Sequence, residues 1–190
     1  MKCIITGGAG FVGSNLCRAL SKKNKVKIVD NFSTGSKKNL ILKKNIKIVK
    51  CDLLDLKKLK REFKNYQIIF HLAANADVRF NLQNPRKVLE QNAICTSNVL
   101  EAMKFNNIRK IVFSSSGSVY GDSNIFPTPE NAPISNQTSL YGASKLYCEG
   151  LIHSYCEGFN FQSWIFRFGS LLGPNYSHGH VFDFIKKLLK

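Results

Sequence analysis

No stretch of this sequence approaches the ~20 uninterrupted apolar residues that a membrane-spanning helix needs, which excludes that class. The N-terminus enters a strand pattern directly, without a charged-then-apolar leader, so a cytoplasmic protein is expected. Six cysteines, at positions 3, 17, 51, 95, 148 and 156, include no C-x-x-C pair and lie scattered in apolar patterns. Reduced, buried thiols are expected, with neither a disulfide framework nor a metal site. Acidic residues are scarce, 12 against 28 Lys plus Arg, leaving a formal charge of +16. Such a balance favours anionic partners. The lysine pairs Lys22-Lys23, Lys37-Lys38, Lys43-Lys44, Lys57-Lys58 and Lys186-Lys187, however, fall at helix ends and loops. Without arginine clusters or interleaved aromatics they read as a biased solvated surface rather than a nucleic-acid face. Internal repeats and low-complexity tails are absent.

What is present is a core of ordinary size: 190 residues, 44% apolar, enough for one domain. Apolar runs of strand type occur at Cys3–Ile5, Lys25–Asp30, Ile46–Lys50, Gln67–Ala74, Arg109–Ser114 and Phe161–Phe168. Helical patterns alternate with them: one after Gly13, one over Lys57–Lys64, one from Pro85 to about Asn106, and one from Ser139 to about Glu157 with Gly158 as its C-cap. Between Asp122 and Ser139 a proline-containing stretch reads as an irregular loop. Strands alternating with helices at these intervals predict an α/β fold, a Rossmann-type doubly wound parallel β-sheet with helices on both faces.

The first strand runs into Thr6-Gly7-Gly8-Ala9-Gly10-Phe11-Val12-Gly13, where Gly8-x-Gly10-x-x-Gly13 fits the dinucleotide fingerprint. One glycine lets the chain turn, one lets backbone approach a pyrophosphate, and one lets the helix pack closely on its strand. The helix N-terminus offers N–H groups to the phosphates. Asp30 ends the second strand 17 residues beyond Gly13, near the offset of the carboxylate that binds the adenosine ribose, which favours NAD over NADP. Asp52 fits either an adenine contact or the cap of the next helix. His71 fits either a packed core histidine or a contact. Small residues after it, Ala73 and Ala74, leave room for a ligand against the backbone.

Tyr141 and Lys145 stand four apart in Tyr141-Gly142-Ala143-Ser144-Lys145, on one helical face. An ammonium beside a phenol stabilises the phenolate and is expected to lower its pKa from ~10, fitting Tyr141 for proton exchange with a substrate hydroxyl. Ser116, at the end of the fifth strand and 25 residues before Tyr141, is placed to donate to the reacting oxygen.

With Thr6–Gly13, Asp30-Asn31, Asp52-Leu53, His71–Ala74, Ser114–Gly121, Tyr141–Lys145 and Arg167–Gly173 together, the chain resembles the extended short-chain dehydrogenase/reductase superfamily. Within it the chain is most similar to the nucleotide-sugar epimerase/dehydratase branch of UDP-glucose 4-epimerase type. The resemblance implies NAD as cofactor and a UDP-hexose epimerised by transient oxidation at C4, with Ser116, Tyr141 and Lys145 as catalytic residues. It implies that Gly7, Gly10 and Gly13 hold the pyrophosphate and that Phe11 and Val12 are cofactor-binding as well. Asp30, Asn31, Ser33 and Gly35 would lie on the ribose side, and Asp52 and Leu53 at the adenine. Leu72, Ala73, Ala74 and Asn92 would lie along the cofactor, with Ser114 and Lys145 near its nicotinamide half, and Tyr141 and Phe168 would also contact it. Ser116, Ser118, Tyr141 and Ser170 would meet the substrate.

Two departures qualify that expectation. Related dehydratases carry an Asp-Glu pair where this chain has Ser116-Gly117-Ser118-Val119, which argues against dehydration. Where relatives often have Asn in the R-x-x-N segment, Arg167-Phe168-Gly169-Ser170 offers Ser170. Relatives also continue much further, so residues 1–175 read as the NAD-binding domain and 176–190 as the start of a substrate-binding region. A keto-sugar-nucleotide reductase, or a truncated non-catalytic NAD-binding module, remain alternatives. The resemblance further implies a homodimer through the helices at 85–106 and 140–157, where Leu89, Leu100, Leu146, Leu151 and Ile152 exceed one stripe.

Overall fold

The structure is a computed structural model that describes residues 1–76, 83–176 and 179–189; residues 177, 178 and 190 of the expected substrate region lie outside these. Its strands are β1 (Lys2–Thr6), β2 (Lys25–Asp30), β3 (Ile46–Lys50), β4 (Ile68–His71), β5 (Lys110–Ser116) and β6 (Gln162–Phe168). They form one parallel sheet in the order β3-β2-β1-β4-β5-β6. The order reverses between β1 and β4, which opens a crevice beyond the carboxyl ends of those strands. The doubly wound arrangement expected from the alternation is therefore the one observed.

The helices are α1 (Phe11–Leu20), α2 (Leu56–Glu62), α3 (85–105), α4 (Leu140–Phe159) and α5 (His180–Leu188). β1 is central because Cys3, Ile4, Ile5 and Thr6 are all fully buried. A strand apolar on both sides must be covered on both. Ile4, Val29, Ile69, Ile111 and Phe113 face one core with Leu59 of α2 and Phe63 at its C-cap, Val99 and Met103 of α3, and Ile152 of α4. Cys3, Ile5, Val26 and Ile28 face the other, with Cys17 of α1. Cover on that second side thins towards β6, where Trp164 and Phe166 are 39% and 49% exposed.

The element ends depart from the pattern for local reasons. β4 stops at His71, so Leu72–Ala74 already belong to the crevice. Asp55, not Asp52, caps α2, accepting from the Lys58 N–H at 2.9 Å. α3 is α-helical over Pro85–Val88, opens into a π-turn over Leu89–Ile94 and resumes over Cys95–Phe105. The expected C-cap at Gly158 is corrected: α4 continues through it and ends at Asn160, in the left-handed conformation. Tertiary contacts carry the helix those extra residues. Phe159 packs on Tyr155 at 5.0 Å, and its carbonyl accepts from Arg109 at 2.8 Å.

One buried cation interrupts the apolar β2. Lys27 is 5% exposed, donates to the carbonyl and carboxylate of Glu62, and lies over the Tyr66 ring at 4.7 Å. Burial alone would raise the Glu62 carboxyl, but its bonds to Lys27 win and hold it below its ordinary range. The stabilisation this gives is present above the unfolded carboxyl's value and is lost as pH falls through the folded one. Removing the acid strands the ammonium, whereas an apolar residue in its place does not. Glu62→Gln is expected to cost about 1–3 kcal/mol and Lys27→Met less than about 1 kcal/mol in urea unfolding at neutral pH. A larger loss in Lys27→Met would show that the pair is a net stabiliser.

Candidate active site

The glycine loop leads from β1 into α1 at the mouth of the crevice. Gly7 has φ +70°, and a Cβ there would fall 2.7 Å from the Ala73 backbone. A Cβ on Gly13 would fall 2.3 Å from the Gly7 carbonyl. The tight turn therefore belongs to Gly7, three residues before Gly10, rather than to Gly8, which rests against the Ile28 side chain. Gly10 is the N-cap of α1 and no side chain caps the helix. Its first-turn N–H groups are thus not taken by a side-chain cap, and together with the positive dipole end they form the arrangement that accepts a pyrophosphate.

Asp30 is 8% exposed and braces this loop from β2, its carboxylate accepting from the Ala9 N–H at 2.9 Å and the Phe32 N–H at 2.8 Å. Two bonds leave a carboxylate with acceptor capacity for ribose hydroxyls. Asn31 donates to Asp52 at 3.0 Å and accepts from the Ser33 N–H at 3.0 Å, while Asp52 also accepts from the Leu54 N–H. Asn31, Ser33, Asp52 and Lys58 line a cavity of about 450 Å³. Gly35 abuts Ala9, where a Cβ would approach within 2.9 Å. Opposite, Ala73 lies against Gly7, the Leu72 N–H donates to the Thr6 carbonyl at 3.2 Å, and Ala74 follows at the same strand end. Leu53 is buried beside them in the core under α3.

The second half of the site comes from β5 and α4. Ser139 caps α4 by accepting from the Gly142 N–H at 3.0 Å, which puts Tyr141 in the first turn and Lys145 one turn on. Lys145 is 2% exposed; its ammonium donates to the Ser114 carbonyl at 2.6 Å and lies 4.6 Å over the Phe113 ring and 5.8 Å from the Tyr141 ring centre. Burial pushes Lys145 down to about 8. Burial also pushes the Tyr141 phenol up, opposed by hydrogen bonding to Ser116. This corrects the expected lowering. The ammonium is committed to Ser114, and desolvation of a phenolate outweighs it.

Ser116 ends β5 and donates to the Ser118 hydroxyl at 3.0 Å, so Ser116, Ser118 and Tyr141 converge. Phe168 pairs with Ser116 in the β5–β6 register, and Ser170 follows two residues later, exposed. Asn92, in the π-turn of α3, reaches Ser144 at 2.8 Å and both backbone groups of Asn75. Val12 and Phe11 open α1, and the Phe11 ring packs edge-on against Tyr176 at 5.3 Å.

Several of the contacts that shape the site carry no signal in the sequence. Asn15 donates to the Pro174 carbonyl at 2.7 Å and Asn175 to the Ser14 hydroxyl at 3.1 Å, folding the segment after β6 back over α1. Glu149, 3% exposed, holds Arg167 at 2.8 Å and accepts from Ser115. Arg167, kept firmly charged by Glu149, stacks 4.8 Å over Tyr120, whose hydroxyl donates to the Glu130 carbonyl. The six cysteines are all free thiols, and among the described residues no helix is long and apolar enough to cross a membrane.

Comparison with known proteins agrees with this fold. A family model described as the NAD dependent epimerase/dehydratase family matches residues 3–190. A putative UDP-glucose 4-epimerase of Methanocaldococcus jannaschii is 39% identical over 98% of this chain and 63% of its own length. A solved UDP-N-acetylglucosamine 4-epimerase of Methanobrevibacter ruminantium, in complex with UDP-N-acetylmuramic acid, superposes with TM-score 0.92 at 33% identity, over 99% of this chain and 62% of that one. The UDP-glucose 4-epimerase of Thermus thermophilus, solved with NAD, gives TM-score 0.88 at 29% identity, over 96% and 60%. The chain thus spans rather less than two thirds of each of these proteins.

Proposed function

Because the chain belongs to the NAD-dependent epimerase/dehydratase family, we propose that it binds NAD in this crevice and epimerises a nucleotide sugar, a UDP-hexose, at C4. The observation that carries the reading is the meeting of Tyr141, Ser116 and Lys145 at the same end of the sheet as the glycine loop. NAD, when bound, supplies a hydride acceptor that becomes the donor on return. The α1 N-terminus would hold its diphosphate and Asp30 its ribose, with Asn31, Ser33, Gly35, Asp52 and Leu53 around the adenosine. Leu72, Ala73, Ala74, Asn92, Ser114 and Phe168 would line the remainder.

Tyr141, once ionised to the phenolate, would accept the proton of the 4-hydroxyl as C4 is oxidised and, as the phenol, give it back once the keto sugar has turned over. Ser116 would turn its hydroxyl from Ser118 to donate to the 4-oxygen and, with Ser118, hold it beside the phenol. Ser170 lies at the sugar side. The stretch Ser116–Val119 carries no carboxylate that could remove water, which supports epimerisation over dehydration. Interconversion of UDP-glucose and UDP-galactose by the 190-residue chain, without net consumption of added NADH, is the expected result. Net NADH oxidation would replace this reading with a keto-sugar reductase. NAD binding without UDP-sugar binding in calorimetry would replace it with a non-catalytic module.

A dimer through α3 and α4 belongs to the same proposal. Leu100 and Ile152, counted towards it from the sequence, are core residues, but Leu89, Ile94, Leu140 and Tyr147 are exposed. Sedimentation at micromolar concentration should give twice the mass of one chain; a single-chain mass would remove the dimer.

A further inference from the structure

A continuous buried hydrogen-bond chain joins the glycine loop to α4, and its centre, His71, has no part in the proposed chemistry. Thr6, His71 and Thr96 are at most 1% exposed. His71 Nδ1 lies 2.7 Å from the Thr6 hydroxyl and Nε2 3.0 Å from the Thr96 hydroxyl. The Thr96 hydroxyl lies 2.7 Å from the Asn92 carbonyl, and the Asn92 side chain continues to Ser144, next to Lys145.

Proton bookkeeping gives this chain a direction. A carbonyl only accepts, so the single Thr96 proton goes to Asn92. Thr96 must then accept from His71, which places the ring proton on Nε2. Cys148, 3.3 Å from the same hydroxyl, is a further donor to it and does not change the assignment. Nδ1 is left with a lone pair and accepts from Thr6. An imidazolium would present a second donor to Thr6 and leave the Thr6 proton without the acceptor it has now.

We propose that His71 is a positioning residue: as the neutral Nε2–H tautomer it locks the end of β1, and with it the glycine loop, at a fixed place relative to α4. At one end Thr6 immediately precedes the Gly7 turn. At the other, Asn92 grips Ser144 one residue from the ammonium. The backbone closes the circuit, since the Ser114 hydroxyl donates to the His71 carbonyl at 3.3 Å and the Ser114 carbonyl holds Lys145. Burial and then the Lys145 charge push the imidazole down to about 3, consistent with a ring that stays neutral. The consequence for the cofactor rests on the NAD reading above; the tautomer and the mechanical link do not.

Long-range ¹⁵N NMR of the full chain should show His71 protonated on Nε2 only, unchanged between about pH 5.5 and 8.5. A proton on Nδ1, or titration in that range, would overturn the assignment in the unsubstituted protein, whatever the variants do. His71→Asn places an amide oxygen near Nδ1 and keeps the Thr6 bond, whereas His71→Gln reaches Thr96 and gives the Thr6 bond up. The Gly7–Gly13 amide shifts should stay near the parent's in His71→Asn and move in His71→Gln. NAD affinity should fall less than about threefold in His71→Asn and about tenfold in His71→Gln, the latter being the loss of one hydrogen bond. Equal shifts in the two variants would make His71 a packing residue and overturn the link. If the parent itself binds no NAD, the functional reading falls while the amide shifts still decide the link.

Discussion

Replacing Tyr141 with Phe should reduce epimerase turnover by about a thousandfold, the middle of the range for a lost general acid–base group, with NAD affinity unchanged within about threefold. The substitution removes one oxygen from the first turn of α4 and keeps the ring, so the Lys145 contact at 5.8 Å from the ring centre survives. Epimerisation needs the proton moved twice, out and back, so Ser116 cannot stand in: its hydroxyl donates to Ser118 and has no base behind it among the described contacts. The pH dependence follows from the two groups together. The phenol is pushed up by burial and must ionise before it can take a proton; a cation near the ring favours that phenolate, and the Lys145 ammonium lies 5.8 Å from the ring centre. Lys145, pushed down to about 8, loses that charge as pH rises through this value. Turnover should therefore decline above about pH 8, well below the ordinary lysine range. A Phe variant with equal rates at all pH values would remove Tyr141 from the reaction.

The parts of this site that the sequence makes legible lie within one element or one turn. Tyr141 and Lys145 share a helical face because four residues is one turn, and no tertiary information is needed to see it. Asp30 is legible because the strand that carries it ends where the alternation says it must. The glycine loop is legible as a loop, but which glycine turns is decided by Ala73, contributed by a strand end 66 residues away. The direction of the Tyr141 shift is illegible for a similar reason. Spacing shows that a cation is near, but not that it is buried and already bonded to Ser114. Leu100 and Ile152 show the same limit on the helices, since a second apolar stripe does not reveal which stripe faces out. The Asn160 cap replaced Gly158 because Phe159 had partners in α4 and in Arg109, which no local pattern contains.

Arg167→Met should destabilise the fold by about 3–5 kcal/mol, and adding Glu149→Met should return most of that loss, although each single change removes the same ion pair. The asymmetry comes from burial. The Glu149 side chain is 4% exposed and that of Arg167 30%. Without Arg167, the carboxylate is left in the core with the Ser115 hydroxyl as its remaining donor among the described residues, and desolvation is then uncompensated. Without Glu149, the guanidinium can turn towards water and keeps its place over Tyr120, so Glu149→Met alone should cost about half as much. Removing both groups leaves apolar side chains of similar volume where a charge pair stood, which buried pairs often tolerate. Urea unfolding of the three variants closes the cycle, and a double variant no more stable than Arg167→Met would show that the network is worth more than its desolvation cost. The same pair should separate binding from chemistry. Arg167 ties Tyr120 and the Glu130 carbonyl, beside the Ser116–Ser118 turn, to α4 and β5. With stability restored in the double variant, that loop remains unpinned, so KM for the sugar nucleotide should rise while Tyr141 and Lys145, held by Ser139 and Ser114, keep their geometry.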